Sequence, residues 1–436
     1  MRSAERRRLG RLAGVVGIVA VVVAVATVPS ALGRTYAGGK GKANGGSVTN
    51  FLTYVGVKKA HHANMKLKPV VIGAINTQGG QVLVGPGWTT GAQTAVRYVN
   101  KYLGGVQGHP LVLSTCFTTS SEEDGTKCGQ RFANDKRISV VEMGALAVGN
   151  QSFYAALGGS KPIVSGVALL PVDATQRNEF ALFGTNDSVL GPWGTFAKTK
   201  LHAKSAAVIY PQVPGIDVGA KVEKTSLEDA GIATKLVGFD PNSTDLTGPL
   251  TAAGAQTADI VVPQSNAQGC VNVAKTLQQL GIAGDKVVSN PLCLSGEVAA
   301  GLGGDLAQWV YGIASTLTAD MTDPAAKPFR KALAQLHASK LGADAWVITA
   351  WGQVLTTVKL MNTLGVAHST PARLTKAFRS FKGPQALGAP SLHCGKYKTE
   401  PAACNDQTQF FQYMGKGVFK RITGWLRPPK NFTPEG

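Results

Sequence analysis

The chain has 436 residues, of which 44% are hydrophobic and 16% are charged, so it is too long for a single core and suits two globular domains. The formal net charge is +19, but more than half of the basic excess lies within residues 1–68. This uneven distribution argues against nucleic-acid binding, which requires a basic surface with interleaved aromatic side chains on the folded part of a protein.

The N-terminal segment has the pattern of an export signal. An arginine cluster at 6–11 precedes an apolar run from Leu12 to Val28, and Gly33 ends a small-residue motif behind it. We therefore predict an export signal or membrane anchor in residues 1–33. The run of about 17 residues is near the lower limit for crossing a bilayer, so cleavage and anchoring both stay open. No cysteine lies near this motif, which excludes a lipoprotein. The basic, glycine-rich residues 34–68 are predicted to form a flexible leader.

Six cysteines in an exported chain indicate three disulfide bonds. Several pairings are possible, and we favour the sequential one because two of its pairs then cluster at the carboxyl ends of predicted strands. The predicted bonds are Cys116–Cys128, Cys270–Cys293 and Cys394–Cys404. A metal site is not indicated, because no CxxC motif occurs and His393-Cys394 is the only adjacent histidine and cysteine pair.

The first folded unit is predicted over residues 70–113. Val70–Ile75 is a continuous apolar run, which is typical of a strand buried on both faces of a parallel sheet. A glycine-rich stretch follows, and from Thr90 to Leu103 apolar residues recur at helical spacing. Pro110–Thr115 is the next strand. The result is a βαβ unit with an open first loop at the carboxyl end of its strand, where doubly wound sheets bind ligands.

Strands and helices continue to alternate along the rest of the chain. The further predicted strands are Ile138–Gly144, Pro162–Ser165, Phe180–Phe183, Ala206–Tyr210, Thr234–Phe239, Asp259–Pro263 and Lys286–Ser289. The helices between them include Glu122–Asn134, Val218–Ala230, Leu246–Ala255 and Cys270–Leu280. A helix-rich stretch follows, with Ala345–Leu364 as its longest periodic segment, and the tail contains a pair of short strands near Phe410–Tyr413 and Val418. Two blocks of alternating strands and helices predict two doubly wound α/β sheets.

The order of local motifs along residues 69–430 resembles the type I periplasmic binding proteins, the substrate-binding proteins of ABC importers that include the branched-chain amino-acid receptors. No single motif is specific to this family, but the order and spacing of the motifs are. The motifs are Gly79-Gly80, Gly91-Ala92, Asn100, Cys116, Val140–Gly144, Phe183–Asp187, Ala206–Tyr210, Leu227–Gly231, Thr257–Ile260 and Gly342–Trp346.

This resemblance implies two doubly wound lobes joined by three crossovers, near 184–188, 315–320 and 385–392. Lobe 1 would comprise residues 69–186 and 318–388, and lobe 2 residues 187–317 and 389–432. The implied function is that of an exported, monomeric solute-binding protein without a cofactor. It would close over a small polar ligand, an amino acid or amide-like compound, and deliver it to permease subunits. A membrane-anchored sensor of the same fold is the first alternative. An enzyme is the second, although the sequence nominates no catalytic residue.

The predicted ligand contacts lie on loops at strand ends. In the family, amino-acid binders usually present a serine and threonine pair after the third strand, where this chain has alanine and aliphatic residues at 145–148. Backbone N–H groups and the adjacent helix N-terminus could still receive an anion there. The candidate contacts are Trp88, Asn150 and Ser165 in the first lobe and Tyr210, Gln264, Ser265 and Asn290 in the second. Trp88 can instead pack its own loop, and Asn150 and Ser165 can be structural. Asn186 and Asp187 are candidate hinge residues.

Overall fold

The structure is a computed structural model that describes residues 47–79, 86–146, 148–213, 215–320, 323–429 and 434. The predicted export signal or anchor and the first part of the predicted leader lie outside the described residues. Every described residue belongs to one compact unit, Tyr36–Gly436. No helix within these ranges is long and apolar enough to cross a membrane.

Strands and helices alternate through most of the described chain, which confirms the predicted α/β class. The strands β1 to β12 are Val70–Thr77, Leu111–Thr118, Ile138–Met143, Ile163–Ala168, Glu179–Thr185, Ser205–Pro211, Ala233–Phe239, Ile260–Pro263, Val288–Ser289, Val310–Ile313, Gln409–Tyr413 and Phe419–Arg421. The helices α1 to α14 are Phe51–Tyr54, Pro86–Tyr102, Glu122–Asn134, Asn150–Leu157, Pro171–Ala174, Asn186–Leu190, Pro192–Lys200, Ile216–Asp229, Thr247–Ala253, Ala267–Gln279, Gly296–Gly301, Lys327–Gln335, Ala345–Leu364 and Pro371–Ser380.

The first lobe is built on a five-stranded parallel sheet of order β2-β1-β3-β4-β5. Alternate residues of β1 enter two separate cores, because helices cover both faces of the sheet. Ile72 and Ala74 pack in the core formed with α2 and α13, whereas Val71 and Ile75 pack in the core formed with α3 and α4. Helix α13 is buried over most of its length, so its sequence is apolar on nearly every side.

The second lobe contains a parallel sheet of order β7-β6-β8 and a mixed sheet of order β12-β11-β10-β9. A single bridge between Val261 and Val287 joins the two at β8 and β9. Strand β10 is absent from the sequence prediction. It has only four residues, one of them glycine, and stands directly before the predicted second crossover, so its short apolar run was not recognised as a strand.

The predicted flexible leader is wrong for residues 48–68, which pack against the first lobe. Phe51, Tyr54 and Val55 lie in the core that contains α13. The Tyr54 hydroxyl is 2.9 Å from Thr356 Oγ1, and the amide of Asn362 donates to the Val55 carbonyl at 2.8 Å. The prediction rested on the glycine and lysine content of the segment. It overlooked the apolar residues that cover the outer side of α13.

The three predicted disulfide bonds are confirmed: Cys116–Cys128, Cys270–Cys293 and Cys394–Cys404. The third one changes the predicted lobe boundary. Cys394 and Cys404 lie in the first-lobe core, and Ala403 forms a parallel bridge with Ala181 on the free edge of β5.

Residues 389–404 therefore pack with the first lobe, although the prediction assigned them to the second. Backbone hydrogen bonds join Ala181 to Ala402 at 2.9 Å and to Cys404 at 3.2 Å, so this segment extends the first sheet. The chain leaves the first lobe only after Cys404, beyond the predicted third crossover at 385–392. The hydrophobic pattern gave no sign of this extension because its pairing is made by small residues.

Candidate ligand-binding site

The carboxyl ends of the sheets in the two lobes meet at the first crossover. Asn186 begins α6 directly after β5, and its side-chain amide donates to the Leu169 carbonyl at 2.8 Å and the Gly215 carbonyl at 3.3 Å. Leu169 follows β4 in the first lobe, and Gly215 follows β6 in the second. We call the described residues that follow β1 to β10 at this end the interlobe edge. It is where a doubly wound sheet presents its ligand-binding loops.

A buried polar network lies behind the first-lobe side of this edge. It comprises Asn150, Tyr154, Ser165, Asp173 and Glu179, which we call the acidic network, and each of these side chains is less than 10% exposed. Asn150 donates to Asp173 Oδ1 at 2.6 Å, and Ser165 donates to Glu179 Oε1 at 2.6 Å. Two of the predicted contacts are therefore brought together, but through acidic residues that the sequence did not nominate.

The two carboxyl groups of the network share the hydroxyl of Tyr154. This oxygen lies 2.7 Å from Asp173 Oδ1 and 2.6 Å from Glu179 Oε2. A phenol has one hydrogen and cannot donate to both carboxylates, so one of the carboxyl groups must be protonated and donate to it. Burial raises the pKa of Asp173, and burial together with the nearby Asp173 raises the pKa of Glu179. The network therefore carries at most one negative charge.

The N-terminus of α4, which the sequence offered as an anion site, is occupied by a side chain of the protein. Glu122, the first residue of α3, accepts the backbone N–H of Gly149 at 2.9 Å and that of Ser152 at 3.2 Å. Desolvation raises the pKa of Glu122, but hydrogen bonds from Ser152 and from these backbone groups outweigh it, so the pKa is lowered. An ionised carboxylate already satisfies this helix end.

Trp88 is buried in the first-lobe core and is only 1% exposed. Its indole N–H donates to Gln353 Oε1 of α13 at 2.7 Å, and the amide of Gln353 donates in turn to the carbonyls of Met143 and Val164. These contacts tie α2 to the ends of β3 and β4. These contacts agree with the alternative prediction that Trp88 packs within the protein instead of contacting a ligand. The structure does not bring Trp88 together with Asn150 and Ser165.

Three predicted contacts of the second lobe form one cluster, which we call the amide cluster: Gln264, Ser265 and Asn290. The Asn290 amide donates to Gln264 Oε1 and, at 3.0 Å, to the Ser265 carbonyl. Asn290 Oδ1 accepts the N–H of Leu292 at 2.8 Å. All three side chains are less than 10% exposed and carry no charge. The cluster follows β8 and β9, so sequence placement at strand ends located it well.

Tyr210 is half-buried near the end of β6 but stands apart from the amide cluster. Its hydroxyl oxygen would lie 3.1 Å from a Cβ atom placed on Gly238, its register partner on β7. Strand β6 lies between β7 and β8, so the ring leans away from the side that carries Gln264. Glycine at 238 leaves the space that this ring occupies.

The predicted hinge pair lies at the first crossover, where α6 begins. Asn186 contacts backbone of both lobes, as described above, and Asp187 is 5% exposed. Just before them, Thr185 Oγ1 donates to Glu400 at 2.6 Å. Burial raises the pKa of Glu400 to about 8, and the nearby Asp187 adds to that rise. No group of three His, Cys, Asp or Glu side chains in the described ranges is arranged to hold a metal ion.

Comparison with known proteins identifies the class. Residues 69–401 match the sequence family described as periplasmic binding protein. Comparison with curated protein sequences gave no match. The chain is similar in structure to the substrate-binding protein LivJ of a branched-chain amino-acid transporter from Streptococcus pneumoniae, solved with isoleucine. The identity is 16%, the match covers 83% of this chain and 100% of that one, and the TM-score is 0.64.

Two other similar structures are of proteins that bind different ligands. A fatty acid ABC transporter substrate-binding protein from Thermomonospora curvata is 14% identical, with 86% and 97% of the two chains covered and a TM-score of 0.65. A solute-binding protein from R. palustris, in complex with 4-hydroxybenzoate, is 17% identical, with 83% and 98% covered and a TM-score of 0.64. At these identities the likeness shows the fold and leaves the ligand open.

The chain belongs to the periplasmic binding protein family and has the type I fold that the sequence predicted. The family consists of solute-binding proteins of ABC transporters rather than enzymes. Membership implies an extracytoplasmic location.

Proposed function

We propose that this protein is the exported solute-binding component of an ABC importer. It closes over a small polar ligand, an amino acid or amide-like compound, between its two lobes and delivers it to permease subunits. The ligand would contact the amide cluster on one side and the loops around Asn150 on the other. Contact with both sides favours the closed form, because only a ligand that binds the two states differently shifts their balance.

The observation that carries this proposal is the meeting of both sheets at Asn186. Its side chain bonds one carbonyl from the carboxyl end of each lobe, so the loops that follow the strands lie around a common crossover. Buried polar side chains stand behind this edge on both sides. Loops converging on a hinge and supported by rigid sheets are the arrangement that a closing binding protein requires.

A thermal-shift screen of a metabolite panel tests the proposal. A ligand present at a hundredfold its dissociation constant should stabilise the folded state by about 2.7 kcal/mol. X-ray scattering should then show a smaller radius of gyration with the ligand than without it. A ligand that stabilises the protein without compaction would contradict the closing mechanism.

A membrane-anchored sensor of the same fold is the second candidate. The apolar run Leu12–Val28 favours it, and all six cysteines are paired, which leaves none for a lipid anchor. N-terminal sequencing of the mature protein separates the two candidates. Cleavage after Gly33 supports a released binding protein, whereas an intact Met1–Val28 segment together with no copurifying permease supports the sensor.

A further inference from the structure

We propose that the interlobe site accepts ligands without an anionic group and selects against carboxylates. The inference rests on the proposed function and narrows its ligand class to neutral hydrogen-bond donors, such as amides, and to amines. It follows from the charges on the interlobe edge, where the protein supplies its own carboxylates at several helix starts and has no cationic residue in the loops.

Two first-lobe helices that begin at this edge have a carboxylate of this chain at or just before their first turn. Glu122 occupies the start of α4, and Asp124 accepts the N–H groups of Thr119 and Ser120 at the start of α3. Positive ends of helices are the usual anion sites in such folds.

Two further helices repeat this arrangement. Asp344 caps α13 by accepting the N–H groups of Trp346 at 2.8 Å and Val347 at 3.2 Å. In the second lobe, Asp217 in the first turn of α8 accepts the Gly215 N–H at 3.1 Å. The positive ends of all four helices are therefore matched with carboxylates of this chain.

The loops of the interlobe edge are either uncharged or negatively charged. Each loop that follows β1 to β10 lacks lysine, arginine and histidine in the sequence, and the loops after β7 and β10 contain aspartate. The acidic residues in these two loops are Asp240, Asp245, Asp320 and Asp323, and Asp187 lies in the first turn of α6 directly after β5. A carboxylate ligand would thus find no cationic residue in these loops to pair with it, and burying an unpaired charge costs free energy.

The basic side chains nearest the crossovers already have partners. Arg421 pairs with Asp323 at 3.0 Å, and both Lys396 and Arg427 pair with Asp406. Arg330 donates to the backbone carbonyl of Thr318 at 2.7 Å. Moving any of these cations to a ligand would break an existing contact.

Two buried polar atoms at the edge indicate what the ligand provides. Asn150 Oδ1 and Ser265 Oγ make no hydrogen bond to any residue that the structure describes, and both residues are at most 2% exposed. They lie on opposite lobes, at the starts of the segments that follow β3 and β8. An amide oxygen can only accept, so a ligand N–H or O–H donor would satisfy Asn150, whereas a carboxylate would not.

Matched pairs of acids and amides test the inference on the full chain at pH 7. The probes are leucine and leucinamide, benzoate and benzamide, and 4-hydroxybenzoate and 4-hydroxybenzamide, screened by thermal shift and measured by titration calorimetry. We expect the tightest probe to lack a carboxylate and to bind at least tenfold more tightly than its acid twin. An acid that binds as tightly as its amide overturns the inference and leaves the proposed function standing. A panel in which no probe binds at millimolar concentration counts against the proposed function itself.

Two variants test whether the preference for amides over carboxylates depends on the interlobe edge. Glu122→Gln removes the charge at the start of α4 and should reduce the preference for the amide severalfold. Glu123→Gln is the matched control, since this neighbouring side chain is exposed and paired with Lys127. Should Glu122→Gln fail to fold, Asp217→Asn gives the same test from the second lobe. An unchanged preference in folded variants of both residues overturns the assignment.

Discussion

The two lobes have different kinds of buried polar group behind the interlobe edge. The acidic network of the first lobe joins side chains from α4, α5, β4 and β5 through shared protons. The amide cluster of the second lobe is held by amide and backbone groups that do not titrate. The first side therefore contains groups that can change protonation, whereas the second is held by groups that do not titrate. Burial at a strand end therefore does not by itself determine which hydrogen-bonding groups a lobe presents to a ligand.

The lobes also differ in what their aromatic residues do. Trp88 of the first lobe is a core residue bonded to Gln353, and Tyr210 of the second lobe is a half-buried residue over a glycine. We therefore expect changes on the first-lobe side to act mainly on stability and changes on the second-lobe side mainly on binding. The predictions below test this division, from the largest expected effect to the smallest.

Trp88→Ala should lower the free energy of unfolding by about 3–5 kcal/mol, because it leaves a cavity in the first-lobe core. It also leaves Gln353 Oε1 without its donor. Urea unfolding measures the effect. Trp88→Phe is the control, since it keeps most of the apolar volume and should cost clearly less. A loss of ligand affinity with unchanged stability would place Trp88 in the ligand site and contradict the division.

Glu142 should make the protein less stable as pH rises. Burial raises its pKa to about 8 against an opposing hydrogen bond from Thr357. A carboxyl with a raised pKa binds its proton more tightly when folded, so its contribution is fully present below about pH 4.5 and is lost as pH rises through about 8. The slope is at most about 1.4 kcal/mol per pH unit for this group.

Denaturant unfolding between pH 5 and 8 measures this slope. Glu142→Gln should flatten it, because the amide keeps the shape of the protonated acid without its ionisation. Glu123→Gln, which changes an exposed acid of the same lobe, should leave the slope as it is. A slope that persists in Glu142→Gln would assign it to other raised groups, of which Glu400, with a pKa of about 8, is the next to test.

Two tyrosine-to-phenylalanine changes compare the lobes directly. Tyr154→Phe removes the hydroxyl that lies between Asp173 and Glu179 and should cost about 1–3 kcal/mol, because two buried carboxyl groups lose a partner. Tyr210→Phe should change the free energy of unfolding by less than about 0.5 kcal/mol, since its ring is half-buried at the edge. Equal costs in the two variants would contradict the view that only the first lobe depends on a buried network.

The sequence predicted the parts of the molecule that depend on local pattern. The buried strand at Val70–Ile75, the long helix at Ala345–Leu364 and the three disulfide bonds follow from apolar runs, helical spacing and position along strands. The sequence also placed Gln264, Ser265 and Asn290 at strand ends, but it did not predict that Asn290 would be hydrogen-bonded to the other two.

The parts that escaped prediction depend on residues far apart in the chain. Trp88 is hydrogen-bonded to Gln353, which is 265 residues further along the chain. No local sequence pattern therefore shows which way the Trp88 ring turns. Asp173 and Glu179 look like ordinary surface acids in the sequence, and only the fold buries them against Tyr154. The same holds for Glu122, whose place in the first turn of α3 does not reveal its contact with α4.

The last prediction concerns the first crossover, where the expected loss of stability is small. Asn186→Ala removes the hydrogen bonds that its amide donates to Leu169 of the first lobe and Gly215 of the second. The loss of stability should be about 1 kcal/mol, but the open and closed forms should lose unequal amounts, so ligand affinity and the radius of gyration should both change. Asn178→Ala is the matched control, because Asn178 donates to the Lys161 carbonyl at 2.8 Å within a single lobe. That change should lower stability by a similar amount and leave affinity unaltered. If the two variants behave alike in calorimetry and X-ray scattering, Asn186 is an ordinary structural residue and the hinge lies elsewhere.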